Sequence, residues 1–483
     1  MTDTIAVETP TRAAKTSFKM KRSDWWWALC ALLSLSLIGL SFYPAILFIA
    51  IILLNRFFKN RYDFLIILIV MTGSTGFIGE NQLGFKLYDI LLALTPFALV
   101  LVRKTPLTKK VLWLMTIYLC YLILMGFISE ERWSIQFLVF RQYITFFLFI
   151  LPLWFFANKD FDIQYFFRKI IVYFIVIMAF YAIDGLILCG QVLLPNTYAA
   201  DEVTSFYQLF WRPFTGNFLR KWPSGMYLII LAVYPLSRYY KLSKWQWAII
   251  ILGFFASRTT SVLGAFFVTY LLYQGNFFRV FKYIILGLLV IPAVYFIDQH
   301  TGSYMRIAST IDQFIELSSA QDEQDVSEFG TGRMAQIIPK YEALVDQGDL
   351  ALGWGFVHPE LSTNPKYQIR NDLYVDIAKA DELATVTEVT QFNTVIHLGV
   401  IGLILQFAFF IGIWFLIRHN HDSGFYMSTL IMASLMGLGG FAGLNIQWGL
   451  IYVSTALGAI LLTTRNRSKK ENPDLQPDST TVK

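Results

Sequence analysis

The sequence predicts an all-α polytopic membrane protein, and three features lead to this prediction. Of the 483 residues, 56% are hydrophobic and only 15% are charged, whereas about a quarter of the residues of a soluble domain are charged. The mean hydropathy is positive, at +0.53. Apolar runs near the length of a membrane-spanning helix recur along most of the chain. These features exclude a soluble globular domain.

The apolar runs predict about 12 to 14 transmembrane helices when short runs are counted as spans. The candidate spans lie near residues 25–41, 43–57, 63–78, 88–102, 111–129, 138–157, 169–190, 223–237, 245–257, 260–273, 280–297, 392–417, 425–441 and 448–464. The chain accordingly divides into a tail (1–24), a transmembrane body (25–297), a large loop (298–391), further transmembrane helices (392–464) and a second tail (465–483).

Lysine and arginine concentrate in every second loop, which orients the predicted helices. Basic residues cluster at 19–22, 56–61, 103–110, 238–244 and 465–470. The positive-inside rule places these segments in the cytoplasm, so both termini are predicted to be cytoplasmic. The polar N-terminal residues precede the first apolar run, and no small-residue cleavage site follows that run. They therefore indicate a tail and not a signal peptide.

The predicted loop at 298–391 is acidic and exoplasmic. It contains 16 Asp and Glu residues against 6 Lys and Arg residues. A loop of this length in a compact protein is usually folded or functional, although a solvated spacer is the alternative. Apolar residues recur in it at helical spacing, at Met334, Ile337, Ile338, Tyr341 and Leu344. We expect two or three helices that cap the membrane body.

The cysteines predict neither a disulfide framework nor a metal site. Cys30, Cys120 and Cys189 all lie in apolar segments and lack the spacing of metal ligands. No Asp-rich metal motif is evident either, and no cofactor is expected.

Arg258 interrupts the apolar run at 246–273. A cation inside a membrane costs roughly 3 kcal/mol or more, so an intramembrane arginine indicates a functional site by default. The structural alternative is that "SRTTS" forms a turn between two short helices, where the side chain simply reaches the membrane surface. The loop count puts this turn on the exoplasmic side, close to the acidic loop.

Further arginines are predicted on the same side. They are Arg141 near the outer end of its span, Arg212 and Arg220 in "FWRPFTGNFLRKWPSG", and Arg333 at the start of the "TGRMAQ" helix. A cation in a first helical turn opposes the helix dipole, so Arg333 is better placed for an external partner. Arginine binds phosphate through paired hydrogen bonds, and the group therefore suits an anionic lipid headgroup. Taken singly, each arginine is better explained as an interface anchor.

Three motifs, in this order, resemble those of a known family. An "SR" turn joins two spans in "FFASRTTSVLGAFF", the long loop carries an arginine-led helix followed by "ALGWGFVHPE", and "EVTQFNTVIHLGVIGLILQF" enters the next span. In this layout, over roughly residues 60–465, the chain resembles the O-antigen ligase and O-antigen polymerase superfamily. These are the WaaL-type and Wzy-type proteins of bacterial surface-polysaccharide assembly.

The resemblance implies a GT-C-like membrane glycosyltransferase of the bacterial inner membrane, whose donor is a saccharide on undecaprenyl pyrophosphate. Carried over by position, Arg258 matches the "SR" arginine and Arg333 matches the loop arginine, and both are implied to hold the pyrophosphate. The lipid pyrophosphate is already a leaving group. Cationic donors can therefore stabilise its developing charge without a metal.

One departure from the family concerns the base that deprotonates the acceptor hydroxyl. Ligases of the family carry a His-Asn pair at a fixed distance before the glycine at the helix start, and the position that corresponds here, counted from Gly399, is Glu388. Glu388 is one candidate base and His358 is the other. A solvated loop acid and a structural turn histidine are equally compatible with these positions. His397 lies in the apolar start of the next span and is expected to pack among helices.

We predict a polysaccharide polymerase that moves a growing glycan from undecaprenyl pyrophosphate to the non-reducing end of an incoming lipid-linked repeat unit on the periplasmic face. The missing His-Asn pair favours this activity over a ligase that transfers the glycan to lipid A core. A lipid-linked oligosaccharide transporter is the alternative from another class, although transporters often show two similar halves. The substrate contacts expected besides the pyrophosphate arginines are Arg141, Arg212, Arg220, Arg370, Trp354 and Tyr367.

The predicted partners are the undecaprenyl-pyrophosphate-linked oligosaccharide and membrane lipid. A chain-length regulator and a flippase are further partners that the resemblance suggests. No nucleic acid is expected to bind.

Overall fold

A computed structural model of the chain describes residues 15–39, 43–73, 87–102, 105–183, 227–257, 260–274, 333–358, 361–362, 364–367, 389–438, 443–444 and 447–471. The described residues are predominantly helical. All but one of the candidate spans coincide with a described helix, and the one near 280–297 lies outside the described residues.

The helices are, in chain order, α1 (Arg22–Gly39), α2 (Tyr43–Lys59), α3 (Arg61–Gly73), α4 (Leu87–Leu101), α5 (Pro106–Ile128), α6 (Trp133–Ile144), α7 (Ile150–Phe155), α8 (Ile163–Ala182), α9 (Ile229–Arg238), α10 (Lys244–Ser257), α11 (Thr260–Gln274), α12 (Arg333–Asp346), α13 (Thr390–Ile417), α14 (Ser423–Leu438) and α15 (Gln447–Glu471). A 3-10 helix, Thr145–Phe149, joins α6 to α7. The predicted span at 138–157 is therefore a composite rod and not one regular helix. Another short 3-10 turn, Pro365–Tyr367, lies in the acidic loop.

Helices α5 and α8 begin earlier than the apolar runs predict, because polar residues cap them. Thr105 is the N-cap of α5, and Pro106 occupies the first turn, where its missing amide hydrogen costs nothing. Asp162 caps α8, and its carboxylate accepts the amides of Gln164 and Tyr165 at 2.9 and 3.2 Å. Since capping residues are polar, a search for apolar runs omits the first helical turns.

Among the described residues, four helical segments are long and apolar enough to cross a membrane: Pro106–Ile128, Trp133–Phe155, Ile163–Ala182 and Thr390–Ile417. Large apolar side chains also stay exposed on outward faces, as in Phe97, Val100 and Phe127. Soluble monomers rarely expose contiguous apolar surfaces of this kind. The chain thus has the features of a helical membrane protein, while the number of spans and the GT-C-like architecture stay predictions.

Helices α8 and α15 form the centre of the body. All side chains of α8 from Lys169 to Met178 are buried, as are those of α15 from Gly449 to Leu462. A helix that is apolar on every face is stable only when other helices surround it. Helices α1, α3, α9 and α10 pack against α8, and α3, α6, α7, α9 and α14 pack against α15.

One end of the body, the strand end, carries a short parallel pair of β1 (Thr16–Ser17) with β2 (Tyr240–Lys241). Distant segments meet there. Arg465 donates to the carbonyl of Phe156 at 2.6 Å, and the Arg168 guanidinium donates to a carbonyl of the N-terminal tail. The loops predicted to be basic therefore gather at one end wherever they are described. The membrane side that this end faces stays a prediction.

A buried charged network joins four helices at the strand end. Lys169 Nζ lies 2.8 Å from Asp24 Oδ1 and 3.2 Å from Asp63 Oδ1. Arg168 pairs with Asp24 at 3.1 Å, and Arg56 lies 3.7 Å from Asp63. The Lys169 and Asp63 side chains are almost inaccessible. These contacts tie α1, α2 and α3 to the central helix α8.

The opposite end, the loop end, consists of the connection between α5 and α6, residues 350–367 of the acidic loop, and the first turns of α13. Helix α10 starts next to β2 and runs along α8, where Gly253 packs against Met178. Its last residue, Ser257, and the first residue of α11, Thr260, therefore lie at the loop end. Arg258, which they flank, lies outside the described residues.

Candidate active site at the loop end

The loop end is held together by a break in α13 and a tight turn of the acidic loop. Gly399 lies inside α13 but has non-helical angles, φ 69° and ψ −179°. The turn that contains the "LGWG" motif packs into this break. The Trp354 amide donates to the Ile396 carbonyl at 2.7 Å, and the Val400 amide donates to the Leu350 carbonyl at 3.0 Å. The motifs "LGWG" and "HLGVIGL" therefore bind each other through their backbones.

Two glycines permit this close approach. The backbone angles of Gly399 fall in a region that is essentially restricted to glycine. Gly353 also has a positive φ, 73°, and a Cβ atom at this position would lie 2.7 Å from the Ile396 carbonyl oxygen. A side chain at either position would push the turn out of the helix break. The glycines of the two motifs thus have a packing function.

His397 links three segments beneath this contact. Its Nε2 lies 3.0 Å from the Val357 carbonyl of the loop, and its Nδ1 lies 2.9 Å from the Tyr143 hydroxyl of α6. A carbonyl only accepts hydrogen bonds, so Nε2 carries the proton in the neutral ring and Nδ1 accepts from Tyr143. His397 is buried, and the expectation that it packs among helices is confirmed.

Tyr143→Phe is expected to destabilise this contact, because it leaves a buried ring nitrogen of His397 without its donor. An unsatisfied buried acceptor costs about 1–3 kcal/mol. Thermal unfolding of the purified protein in detergent measures the change. Tyr341→Phe, at an exposed position of α12, is the control and should unfold as wild type does. Equal stability of Tyr143→Phe and wild type would contradict the assigned hydrogen bond.

Trp354 and Tyr367 form the small core of the acidic loop. Each is 1% exposed, and their ring centroids are 5.6 Å apart. Leu344, Val357 and the start of α13 complete this core. Neither ring offers an exposed face to a sugar in this arrangement. Their role in sugar stacking stays a prediction, and it requires the loop to open.

The connection between α5 and α6 holds a buried carboxylate, Glu131, which was not among the predicted site residues. Glu131 is 6% exposed. Its Oε1 accepts the Arg132 amide at 2.9 Å, while its Oε2 is buried without a hydrogen-bond partner in the described part of the chain. The acidic loop covers this connection, with Gly355 against Ser129. The polar sequence "SEERWS" is typical of an exposed turn, so no local signal marks this acid as buried.

Lys366 attaches the acidic loop to the same connection. Its Nζ lies 3.1 Å from Asp349 and 3.7 Å from Glu130, and the Tyr367 hydroxyl accepts the Glu130 amide at 3.3 Å. Burial lowers the pKa of Lys366, but the hydrogen bond and the charge of Asp349 outweigh it and raise this pKa overall. Lys366 therefore stays cationic. Partly exposed pairs of this kind contribute at most about 1 kcal/mol.

Arg141 is paired with an acid of a neighbouring helix. Its guanidinium lies 2.8 Å from Asp89 of α4 and 5.6 Å from the Tyr88 ring centroid. Arg141 is buried, and its charge is already balanced by Asp89. It therefore joins α4 to α6, and a phosphate would have to compete with a carboxylate for it. The role of Arg141 in substrate binding stays a prediction.

No family model, no curated protein and no solved structure matches the chain. The resemblance to the O-antigen ligase and polymerase superfamily therefore rests on the motifs. Two of these motifs, "LGWG" and "HLGVIGL", are in direct contact. The third motif, the "SR" turn, lies outside the described residues.

The other predicted site residues are only partly described. His358 follows the Val357 contact and begins a turn, in which its carbonyl accepts the amides of Leu361 and Ser362 at 3.0 and 2.9 Å. Arg333 begins α12, but its side chain is outside the description. Among the described residues, no group of three or more His, Cys, Asp or Glu could hold a metal ion. The remaining predicted residues lie outside the described residues: Arg212, Arg220, Arg258, Arg370 and Glu388.

Proposed function

We propose that this chain is a membrane glycosyltransferase that polymerises a bacterial surface polysaccharide. It passes a growing glycan from undecaprenyl pyrophosphate to the non-reducing end of the next lipid-linked repeat unit, on the periplasmic face of the inner membrane. The observation that carries the proposal is the contact between the "LGWG" turn and the broken helix α13, which brings two family-like motifs together at the loop end. A GT-C-like architecture with both termini in the cytoplasm belongs to the same proposal.

The proposed reaction requires cations at the leaving group and a proton acceptor at the attacking hydroxyl. Arg258 and Arg333 hold the pyrophosphate, where their charges stabilise the negative charge that develops as the sugar departs. His358 and Glu388 lie near the acceptor hydroxyl. The lipid pyrophosphate already supplies a good leaving group, so the proposal includes neither a metal nor a cofactor.

The break in α13 also bears on the transporter alternative, because unwound helices bind ions in many transporters. The groups next to Gly399 already have partners. The amides of Val400 and Ile401 donate to the acidic loop at 3.0 and 3.2 Å, and the Leu398 carbonyl accepts from the Tyr121 hydroxyl at 3.1 Å. The two amides hold the loop and the carbonyl holds α5, so these three groups are not offered to an ion. This favours the enzyme over a lipid-linked oligosaccharide transporter.

Reconstitution with a purified lipid-linked repeat unit tests the proposal. The protein in lipid nanodiscs is expected to lengthen the glycan with no flippase present. Loss of one charge-stabilising donor costs roughly 10²–10³-fold in rate, so Arg258→Ala and Arg333→Ala should each slow chain growth by about this factor. The lysine variants should retain part of the rate, since the charge stays while the paired hydrogen bonds are lost. Glycan length on a gel is the measurement.

Arg418→Ala is the matched control, because Arg418 is exposed at the strand end of α13. It should support chain growth at the wild-type rate. Full-length polymer from both Arg258→Ala and Arg333→Ala would contradict the site assignment. Movement of repeat units across a bilayer without any chain growth would favour the transporter.

A strain that lacks the protein separates the polymerase from the ligase. If the protein is a polymerase, the strain that lacks it still carries a single repeat unit attached to lipid A core. Loss of a ligase instead removes every core-linked repeat while lipid-linked polymer accumulates. We expect the first pattern on a gel of the surface polysaccharide.

A further inference from the structure

Glu131 is a buried acid whose charge no protein group balances in the described part of the chain. It is 6% exposed, its Oε2 accepts no hydrogen bond, and none of the ion pairs between described residues includes it. Removing a carboxylate from water without a partner is costly. Unsatisfied buried polar groups of this kind therefore call for a functional explanation.

The backbone that carries Glu131 is rigidly held. The Gln136 side chain donates to the carbonyls of Ser129 and Glu131 at 3.2 and 2.7 Å, and the Glu131 amide donates to the Ser129 hydroxyl at 3.3 Å. A carboxylate on a fixed backbone can be held in the geometry that a reaction needs. These contacts give Glu131 such a backbone.

The adjacent residue, Glu130, has the same chemistry in a different environment. Its side chain is 63% exposed, and its closest cation, Lys366, is 3.7 Å away. Glu130 is thus solvated, whereas Glu131 is buried. The two glutamates form a matched pair of adjacent acids that differ in burial and in their contacts with Lys366.

Glu131 lies where the acidic loop meets the helical body. The Tyr367 hydroxyl of the loop accepts the amide of the adjacent residue Glu130 at 3.3 Å, so this part of the loop lies against the connection. Glu131 is therefore part of the connection that the acidic loop covers, and the same loop carries the candidate base His358.

We infer that Glu131 is the general base of the transfer reaction, an assignment that rests on the proposed function. Its Oε2 takes the proton of the acceptor hydroxyl while the acceptor oxygen forms a bond to the anomeric carbon of the donor glycan. The bond from that carbon to the pyrophosphate oxygen breaks, and its electron pair leaves with undecaprenyl pyrophosphate. The proton then passes to water, which restores the carboxylate. His358 and Glu388 bind the acceptor in this assignment.

Glu131→Gln tests the inference against Glu130→Gln. Glutamine keeps the oxygen that accepts the Arg132 amide and replaces only the unused one, so thermal unfolding should stay close to wild type. General-base catalysis contributes roughly 10²–10⁴-fold, and the rate of chain growth at saturating acceptor should fall by this factor in Glu131→Gln. Glu130→Gln should grow chains at the wild-type rate. Formate should restore part of the rate to Glu131→Ala, because it supplies a carboxylate to the vacated space.

Different results would contradict the role of Glu131 and the proposed polymerase activity. One such result is that Glu131→Gln grows chains at the wild-type rate while Arg258→Ala is slow in the same assay. This result would overturn the role of Glu131 and leave the proposed polymerase activity standing. The role of Glu131 would also be overturned if Glu131→Gln were slow, its Tm were lowered and formate did not rescue Glu131→Ala. The slow rate would then be a consequence of lost stability. No chain growth by the wild-type protein would overturn the proposed function and the inference together.

Discussion

Gly399→Ala is expected to release the acidic loop from α13. A non-glycine residue in this backbone region costs roughly 1–3 kcal/mol. The added Cβ would also overlap the Ala351 backbone, and such overpacking adds roughly 1–3 kcal/mol. Amide hydrogen exchange of peptides that contain Trp354 and Val400 measures the effect, because both amides donate across the contact. A loss of about 2 kcal/mol corresponds to roughly thirty-fold faster exchange.

Gly264→Ala is the control for this experiment. A Cβ at Gly264 would meet no atom within 4 Å, and alanine favours a helix over glycine by about 1 kcal/mol. Exchange at Trp354 should therefore stay as in wild type. If the loop positions the acceptor, chain growth should slow in Gly399→Ala and not in Gly264→Ala. Unchanged protection in Gly399→Ala would mean that loop docking does not depend on glycine at the break.

Lys169→Met is expected to produce the largest loss of stability at the strand end. It removes the cation that bridges Asp24 and Asp63 at 2.8 and 3.2 Å. Among the described residues, the buried Asp63 would then be paired only with Arg56, at 3.7 Å. Breaking a buried ion pair by removing one partner costs about 3–5 kcal/mol, because the other charge stays buried. Thermal unfolding in detergent is the measurement.

Arg168→Met is the neighbouring comparison. Arg168 also pairs with Asp24, but its side chain is 27% accessible, and partly exposed pairs are worth at most about 1 kcal/mol. The Tm of Arg168→Met should therefore drop much less than the Tm of Lys169→Met. The double variant Asp63→Asn/Lys169→Met should recover part of the lost stability, since it removes the buried carboxylate that lost its close cation. Equal effects of the two single variants would indicate that Lys169 is not the bridging cation.

Helix positions could be predicted from the sequence because they depend on local composition. Apolar runs at 88–102, 245–257 and 392–417 coincide closely with α4, α10 and α13. The errors lie at helix starts and at irregular joints, where a polar cap such as Asp162 extends a helix beyond its apolar run. The break at Gly399 was also not predictable, because glycine is common in membrane helices that continue without interruption.

The candidate site was less predictable, because its decisive contacts join distant residues. The motif around Trp354 could be recognised as a turn, but its insertion into α13 depends on three-dimensional packing. Arg141 could be recognised as an unusual cation, whereas its pairing with Asp89 could not. Glu131 is buried, whereas the adjacent Glu130 is exposed and pairs with Lys366. This difference arises where the acidic loop meets the connection, through contacts between residues more than two hundred positions apart.

The sequence by itself determined the helical, membrane-like character of the chain and the alternation of its basic loops. Both follow from residues that are neighbours along the chain, so composition and spacing are enough to reveal them. Only the tertiary structure decided which charges are balanced, which aromatic rings are buried and which acid lacks a partner. These properties depend on desolvation and on contacts across the fold, and those exist only once the acidic loop is packed against α13 and the connection between α5 and α6.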